Sequence, residues 1–213
     1  EIKDLFSYPN INNLSKIIEL KQKNGEFKLP EIIQNNDDLY KPFPLTEIQQ
    51  AYLVGRENIE LGNISAHGYI EIEIKDLDID KFEKAFNKVI ARHYLLKTVI
   101  ENDKQVILKN VPYFKIKTHK IKSTNSDINN INEILEIRKR LSHEKIDYSK
   151  FPVFNLEISI LNEEISILHY SFDAIFTDAT SIIIIAKEIT DFYNNTNLEL
   201  QNLEINFRDY VLY

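Results

Sequence analysis

The nine residues from Asp173 to Ser181 hold the most chemically capable group of side chains in the sequence. They read Asp-Ala-Ile-Phe-Thr-Asp-Ala-Thr-Ser, with carboxylates at Asp173 and Asp178 and a hydroxyl at Ser181. The segment follows the apolar run 165–172 and precedes an amphipathic pattern, so it lies where a core strand passes into a helix. Loops that leave buried strands are where α/β proteins place their sites. The spacing therefore predicts a candidate catalytic site formed by Asp173, Asp178 and Ser181.

The same spacing also has a purely structural interpretation. Asp178 at the N-cap of a helix, with Ser181 three residues later, is an ordinary helix start. Asp173 is harder to explain in that way, because a carboxylate directly after a core strand needs a cation or several hydrogen-bond donors, or its pKa rises. A metal held by the two aspartates is a weaker alternative, since no third Asp, Glu or His has suitable spacing nearby.

The five histidines form neither a metal-binding spacing nor a catalytic elbow; they are His67, His93, His119, His143 and His169. His93 follows Arg92 at the end of a predicted helix, where the helix dipole favours a cation. His169 alternates into one face of a predicted strand and is expected to be hydrogen-bonded in place. The parts of a Ser-His-Asp triad are present, but no arrangement of them is indicated.

The composition excludes several classes of protein. With 213 residues, 43% of them hydrophobic, the chain can bury a core and is not expected to be disordered. Lys and Arg total 26 against 33 Asp and Glu, a net charge of −7 without a long basic block, so nucleic acid is not an expected partner. The absence of cysteine excludes disulfides and zinc–thiolate sites, and the four glycines form no nucleotide-binding motif. The longest apolar run, 182–186, is far below the ~20 residues of a membrane span, so we expect a soluble, cytoplasmic protein.

Periodicity predicts the elements that position the candidate site. Thr46 and Gln49 have the spacing of a capping box, which predicts a helix with Ile48, Ala51 and Tyr52 facing inward. Strict alternation over 69–75 predicts a strand that is wet on one side. Asp80 is the predicted N-cap of the next helix, whose predicted buried stripe is Phe82, Phe86, Val89 and Ile90. The remaining predicted elements are strands at 105–108 and 114–118, a helix at 128–142, a hairpin of 153–161 with 165–172, and a helix at 178–193.

Four ordered motifs resemble the heterocyclization domains of non-ribosomal peptide synthetases. Residues 43–56, Phe-Pro-Leu-Thr-x-x-Gln-x-Ala-Tyr-x-x-Gly-Arg, resemble the opening motif of that family. Residues 173–181 are similar to its DxxxxDxxS signature, which replaces the HHxxxDG of ordinary condensation domains, and Ala174 stands at the position of the second His. Residues 92–97 resemble the RHxxLR motif, with Lys97 where the last Arg is usual. Residues 207–210, Phe-Arg-Asp-Tyr, resemble a further stretch of the family.

The resemblance implies a domain organisation. Residues 1–20 are similar to the C-terminal helix of a peptidyl carrier domain, although a generic amphipathic helix is the alternative. Residues 21–41 are the expected interdomain linker. Residues 42–213 are the expected N-terminal lobe of a heterocyclization domain, an α/β (α+β) lobe of the chloramphenicol-acetyltransferase type with a mixed sheet flanked by helices. By this resemblance, the C-terminal lobe is expected to be absent from the sequence.

The resemblance also implies a reaction and partners. An upstream carrier-bound acyl thioester is condensed with carrier-bound Cys, Ser or Thr, and the product is cyclodehydrated to a thiazoline or oxazoline. The partners are upstream and downstream carrier domains with their phosphopantetheine arms, the missing C-terminal lobe and an adjacent adenylation domain. No directly bound cofactor or metal is expected. The residues usually credited with cyclodehydration lie in the C-terminal lobe, so the chain alone is expected to be inactive.

Within the site, we expect Asp178 to pair with Arg92 across the lobe, while Asp173 and Ser181 shape the floor of the substrate tunnel. Two alternatives stay open at this point. One is a non-catalytic lobe that only docks carrier domains, for which Lys97 and the missing half count slightly. The other is a stand-alone acyltransferase of the same superfamily, which Ala174 disfavours.

Overall fold

The computed structural model describes residues 2–24, 32–57, 60, 63–122, 129 and 131–213, and the chain divides into two units, Glu1–Ile33 and Gln34–Tyr213. The smaller unit contains helices α1 (Ile2–Ser7) and α2 (Ile11–Lys23). Asn10 caps α2, since its side chain accepts a hydrogen bond of 2.8 Å from the backbone N–H of Asn12. The helix continues to Lys23, three residues past the predicted end at 20. Residues 25–31 of the predicted linker lie outside the described residues.

The larger unit is a mixed α/β lobe that carries the candidate site. Its elements are β1 (Phe43–Pro44), α3 (Glu47–Glu57), β2 (His67–Lys75), α4 (Ile79–Arg92), a 3₁₀ turn (Tyr94–Lys97), β3 (Thr98–Glu101), β4 (Lys104–Ile107), β5 (Lys117–Lys120), α5 (Asn132–Leu141), β6 (Asn155–Ile160), β7 (Ile165–Asp173), α6 (Ala179–Asn194) and α7 (Phe207–Leu212). One sheet has the strand order β2-β7-β6-β5 and the other β1-β4-β3. In the four-stranded sheet β2, β7 and β6 are antiparallel, and β5 runs parallel to β6. The predicted hairpin of β6 with β7 is thus confirmed.

Strand β3 was not predicted from the sequence. It pairs with β4 through a two-residue turn in which Asn102 has φ 49° and Asp103 has φ 59°. Asn and Asp tolerate this left-handed conformation better than other non-glycine residues, and two such residues suit the tight turn of a hairpin. The Asn-Asp pair was therefore the sequence signal for this hairpin.

The apolar face of the four-stranded sheet packs against α4 and α6. The predicted stripe of α4 is confirmed, because Phe82, Phe86, Val89 and Ile90 are all buried. Phe86 contacts Phe154, the residue directly before β6, in an edge-on arrangement with the ring centroids 5.4 Å apart. Such aromatic contacts add to the free energy that burial of the rings already supplies. The core that supports β7 is therefore formed by the apolar stripe of α4 and the inward-facing residues of the strands.

The opposite face of the sheet is covered only in part, so the prediction of a strand wet on one side is confirmed at its end, where Glu73 and Lys75 are exposed, and is wrong at Glu71. Helix α5 lies there, and its Arg138 binds both carboxylate oxygens of Glu71 at 2.9 and 2.7 Å. His169, fully buried on the same face, lies 2.7 Å from the Tyr69 hydroxyl and 2.8 Å from the Ser159 hydroxyl. His169 is thus hydrogen-bonded in place, as expected. Of the alternating charged residues of this strand, Glu71 therefore meets α5, and only the end of the strand meets water.

Three further predictions about the elements are corrected. Asp78, not Asp80, caps α4, and its side chain accepts from the Lys81 N–H. Strand β5 begins at Lys117 instead of 114, because the backbone N–H groups of Phe114 and Ile116 are bound by the side chains of Asn87 and Glu83. The predicted helix at 128–142 is shorter, with α5 beginning at Asn132, and part of the prediction falls outside the described residues.

The prediction for the orientation of α3 is also wrong, although its predicted capping box is present. The Thr46 N–H donates to Gln49 Oε1 at 2.9 Å, and the Gln49 N–H donates to Thr46 Oγ1 at 3.2 Å. The buried residue of the helix is Gln49, while Ile48 and Tyr52 are 65% and 37% exposed and Ala51 is exposed too. The side chain of α3 that faces the core is therefore the polar Gln49, because it has hydrogen-bond partners there.

Candidate functional site

Asp173 ends β7 and is buried, with 1% of its surface exposed. It lies opposite His67 of β2 in the strand register. The Tyr148 hydroxyl donates to Asp173 Oδ2, and the Ile175 N–H donates to Asp173 Oδ1 at 3.1 Å. Burial, and the hydrogen bond to this carboxylate, raise the pKa of Tyr148. A carboxylate at this depth was expected to need hydrogen-bond donors, and the donors are one hydroxyl and one backbone N–H.

Arg56 contacts the ring of Tyr148, the residue whose hydroxyl binds this carboxylate. Its guanidinium carbon lies 3.6 Å from the centre of the Tyr148 ring, and its Nη2 donates to the Ile146 carbonyl. A guanidinium stacked on an aromatic face is attracted by the ring quadrupole. The buried Asp173 and Tyr148 and the half-buried Arg56 thus form one group from three distant parts of the chain. Sequence reasoning missed both partners as site residues; Arg56 ends the motif 43–56, but nothing local marks Tyr148.

Asp178 and Ser181 have a different environment. Asp178 is the N-cap of α6, and its Oδ1 accepts from the Ser181 N–H at 2.7 Å. Asp178 is exposed and Ser181 is half-buried. The Ser181 hydroxyl and the Ser181 backbone N–H lower the pKa of Asp178. The structure therefore brings Asp178 and Ser181 together as a helix cap and binds Asp173 separately to Tyr148.

The predicted ion pair between Arg92 and Asp178 is wrong. The acidic partner of Arg92 is Glu188 of α6, with Arg92 Nε 3.0 Å from Glu188 Oε1, and His93 Nε2 lies 2.7 Å from the other carboxylate oxygen. Glu188 and Asp178 are ten residues apart, which is about 15 Å along a helix axis. Because Asp178 is at the start of α6 and Arg92 is at the end of α4, Glu188 is the carboxylate within reach.

Lys97, which replaces the last Arg of the RHxxLR motif, is 9% exposed. Its ammonium donates to the Ala91 carbonyl at 3.2 Å and lies 4.7 Å from the centre of the Tyr94 ring. Burial lowers the pKa of Lys97. The side chain is satisfied by the end of α4 and an aromatic face, so the substitution is accommodated within the fold.

Within the described parts of the chain, no group of three or more His, Asp or Glu side chains is placed to hold a metal ion. The chemistry available at the site is that of hydrogen-bonded carboxyl, hydroxyl and guanidinium groups. Across the same described residues, no helix is both long enough and apolar enough to cross a lipid bilayer.

Comparison with known proteins gives matches that include all of the motifs described above. The condensation domain family matches residues 41–213. The chain is 33% identical over 99% of its length to bacitracin synthase 1 of Bacillus licheniformis and 30% identical over 82% of its length to pyochelin synthetase PchF of Pseudomonas aeruginosa. It spans only 4% and 10% of those two proteins.

A solved structure gives the corresponding comparison in three dimensions. The EpoB cyclization-docking bidomain of the non-ribosomal peptide synthetase from Sorangium cellulosum superposes with a TM-score of 0.78 at 30% identity. The match covers 95% of this chain and 41% of that chain. The likeness confirms the predicted mixed α/β fold class, a chloramphenicol-acetyltransferase-like lobe with helices flanking a mixed sheet.

Proposed function

The chain belongs to the condensation domain family of non-ribosomal peptide synthetases, and we propose that it is the N-terminal lobe of a heterocyclization domain. In this proposal, residues 1–20 are the last helix of a carrier domain and 21–41 are the linker to the lobe. The domain condenses an acyl or peptidyl thioester on an upstream carrier with Cys, Ser or Thr on a downstream carrier. It then closes the side chain of that residue onto the new amide to give a thiazoline or oxazoline.

The observation that carries this proposal is the DxxxxDxxS segment at the β7–α6 junction of a lobe that resembles a cyclization-docking bidomain. Ala174 follows Asp173 directly, at the position of the second His of an ordinary condensation signature. The solved structure that it resembles is a cyclization-docking bidomain, which favours the cyclizing branch of the family for this chain. The share of that bidomain that the chain covers, 41%, supports its assignment to one of two lobes.

The proposed reaction has two steps with different physical needs. In the first, the amine of the acceptor residue attacks the thioester carbonyl and the upstream thiol leaves, a step that depends mainly on bringing the two carrier arms together. In the second, the side-chain sulfur or oxygen attacks the amide carbon, and the amide oxygen leaves as water. This step needs proton transfers and stabilisation of the departing oxygen.

We propose that Asp173 and Ser181 line the floor of the tunnel in which the two arms meet, with Asp178 fixing the start of α6. The buried hydrogen bonds of Asp173 favour a fixed carboxylate over a mobile one, because both of its oxygens are engaged. The second lobe supplies the residues for cyclodehydration, so the isolated chain is inactive. The partners in this proposal are the carrier domains that flank the module, an adenylation domain and the C-terminal lobe.

Mass spectrometry of products from the intact module tests the proposal. Loaded upstream and downstream carriers are supplied, and Cys, Ser and Thr are offered in turn. We expect one of the three to give a product lighter by one water than the linear amide. A linear amide from all three residues would show condensation without cyclization and contradict the proposal, and binding of loaded carriers without any product would favour a docking lobe.

A further inference from the structure

Two buried glutamines join α3 to the segment that carries Asp173 and Asp178. Gln49 of α3 is 4% exposed and Gln105 of β4 is fully buried. Their side-chain amides bind each other reciprocally, with Gln49 Nε2 donating to Gln105 Oε1 at 2.9 Å and Gln105 Nε2 donating to Gln49 Oε1 at 3.0 Å. The two residues are 56 positions apart in the sequence, so nothing local in the sequence indicates their contact.

The outer bonds of the pair fix its orientation. Gln49 Nε2 also donates to the Ile175 carbonyl at 2.9 Å, and Gln105 Nε2 also donates to the Pro44 carbonyl at 2.9 Å. Gln49 Oε1 accepts from the Thr46 N–H. An NH₂ group has two donors, and both donors of each amide are used. Rotation of either amide by half a turn would place its oxygen against a carbonyl oxygen, so the pair has one arrangement.

Ile175 connects the glutamine pair to the candidate site. Its carbonyl accepts from Gln49, its N–H donates to Asp173 Oδ1 at 3.1 Å, and its side chain is buried. Both backbone polar groups of this one residue are therefore held by side chains, the N–H by Asp173 two residues earlier and the carbonyl by Gln49 from a distant part of the chain. Gln49 thus fixes the carbonyl of the residue whose own N–H holds the Asp173 carboxylate.

We propose that Gln49 is a positioning residue for Asp173 and that Gln105 keeps the Gln49 amide in the orientation this requires. The inference deepens the proposed function, on which its activity readout rests. A pair of apolar side chains would fill the same volume without burying two amides, but it would leave the Ile175 carbonyl without a donor. The polar pair supplies a directed bond that packing alone does not.

Hydrogen exchange of this chain tests the inference with two matched variants of similar size. Gln49→Met removes the donor to Ile175, whereas Gln105→Met removes an equally buried amide and leaves that donor in place. We expect exchange at the Ile175 N–H to rise about tenfold in Gln49→Met, the effect of losing roughly one buried hydrogen bond. In Gln105→Met we expect a rise of less than about threefold, since only the orientation of the Gln49 amide is loosened.

Equal rises in the two variants would overturn the inference, because a general loss of stability affects both alike. Thermal unfolding of each variant checks that it is folded at the temperature of the exchange experiment. If Gln49→Met does not fold, Gln49→Glu is the second variant, since it keeps an acceptor for the Thr46 N–H and loses both donors. The same outcomes then apply to Gln49→Glu.

In the intact module, the inference predicts that Gln49→Met lowers kcat about tenfold and leaves the KM for the loaded carriers unchanged. Gln50→Leu is the control, since the exposed Gln50 side chain donates to the Leu45 carbonyl beside it. A fall in kcat that is the same for Gln49→Met and Gln50→Leu would overturn the inference. If the wild-type module forms no cyclised product, the proposed function fails, while the exchange at Ile175 still decides the positioning role.

Discussion

The two aspartates of the DxxxxDxxS segment lie five residues apart and have opposite environments. Asp173, at the end of β7, is buried and bound by the Tyr148 hydroxyl and the Ile175 N–H. Asp178, at the start of α6, is exposed and bound by the first turn of its own helix. Asp173 depends on a hydroxyl 25 positions away as well as on a nearby backbone N–H, whereas Asp178 depends on Ser181, three residues later in its own helix. Substitutions at the two positions should therefore differ in kind as well as in size.

The largest effect is expected at Asp173. Asp173→Ala leaves the Tyr148 hydroxyl and the Ile175 N–H buried without an acceptor, and we expect the free energy of unfolding to fall by about 3 kcal/mol. Urea denaturation of the variant and the wild-type chain measures this difference. A loss below about 1 kcal/mol, the size expected for an exposed cap, would remove the contrast between the two aspartates.

A double-mutant cycle sharpens the same side of the comparison. Tyr148→Phe keeps the ring beneath Arg56 and removes only the hydroxyl, so we expect a loss of about 1–2 kcal/mol. Together with Asp173→Ala, the loss should be smaller than the sum of the two single losses by about 1 kcal/mol, since neither variant then leaves the other partner unpaired. Strict additivity would show that the bond between the two side chains contributes nothing to stability.

Glu188 tests which acidic residue of α6 holds the end of α4. Its side chain is 12% exposed and contacts both Arg92 and His93. Removal of the carboxylate in Glu188→Gln leaves the Arg92 guanidinium partly buried beside a neutral amide, and we expect a loss of about 1.5 kcal/mol in urea denaturation. Asp178→Asn should leave this contact intact, because Asp178 lies almost three helical turns away. A double mutant with Arg92→Met should show coupling to Glu188 and none to Asp178.

Asp178→Ala removes a helix cap and should cost about 1 kcal/mol, whereas Asp178→Asn should be close to neutral because Asn is an equally good N-cap. Had Asp178 been paired with Arg92, both variants would have cost several kcal/mol. Thermal or urea unfolding at neutral pH distinguishes the two expectations. A large loss in Asp178→Asn would indicate that the charge at this position matters for more than the cap.

The contrast also explains which features the sequence could predict. The cap at Asp178, the capping box of Thr46 and Gln49, and the buried stripe of α4 depend on residues within one or two turns of each other, and all three are found in the structure. The partners of Asp173 and Gln49 lie 25 and 56 positions away in the chain. Their residue types carry no local pattern, so only the packed lobe identifies them.

Two of the errors share one physical cause, which is that polar side chains with partners inside the fold were not expected to be covered. Ile48, Ala51 and Tyr52 were expected to face inward from α3, but Gln49 is its buried residue; Glu71 was expected on a wet face, but it binds Arg138 of α5. Burial of a polar group is favourable only when its partners are present, and periodicity cannot show whether they are. The motif resemblance identified the segments that matter, but not the contacts between them.

The smallest predicted effect concerns pH and the exposed aspartate. The Ser181 hydroxyl and backbone N–H lower the pKa of Asp178 from its ordinary value of 3.8. A carboxyl with a lowered folded pKa contributes stability that is present above the unfolded pKa and is lost as the pH falls through the folded value. We therefore expect the difference in stability between the wild-type chain and Asp178→Asn to be constant from about pH 7 to pH 5 and to shift against the wild type below about pH 4. Urea unfolding of both proteins across this range measures it, and a difference that already changes near neutral pH would place a second titrating group beside the cap.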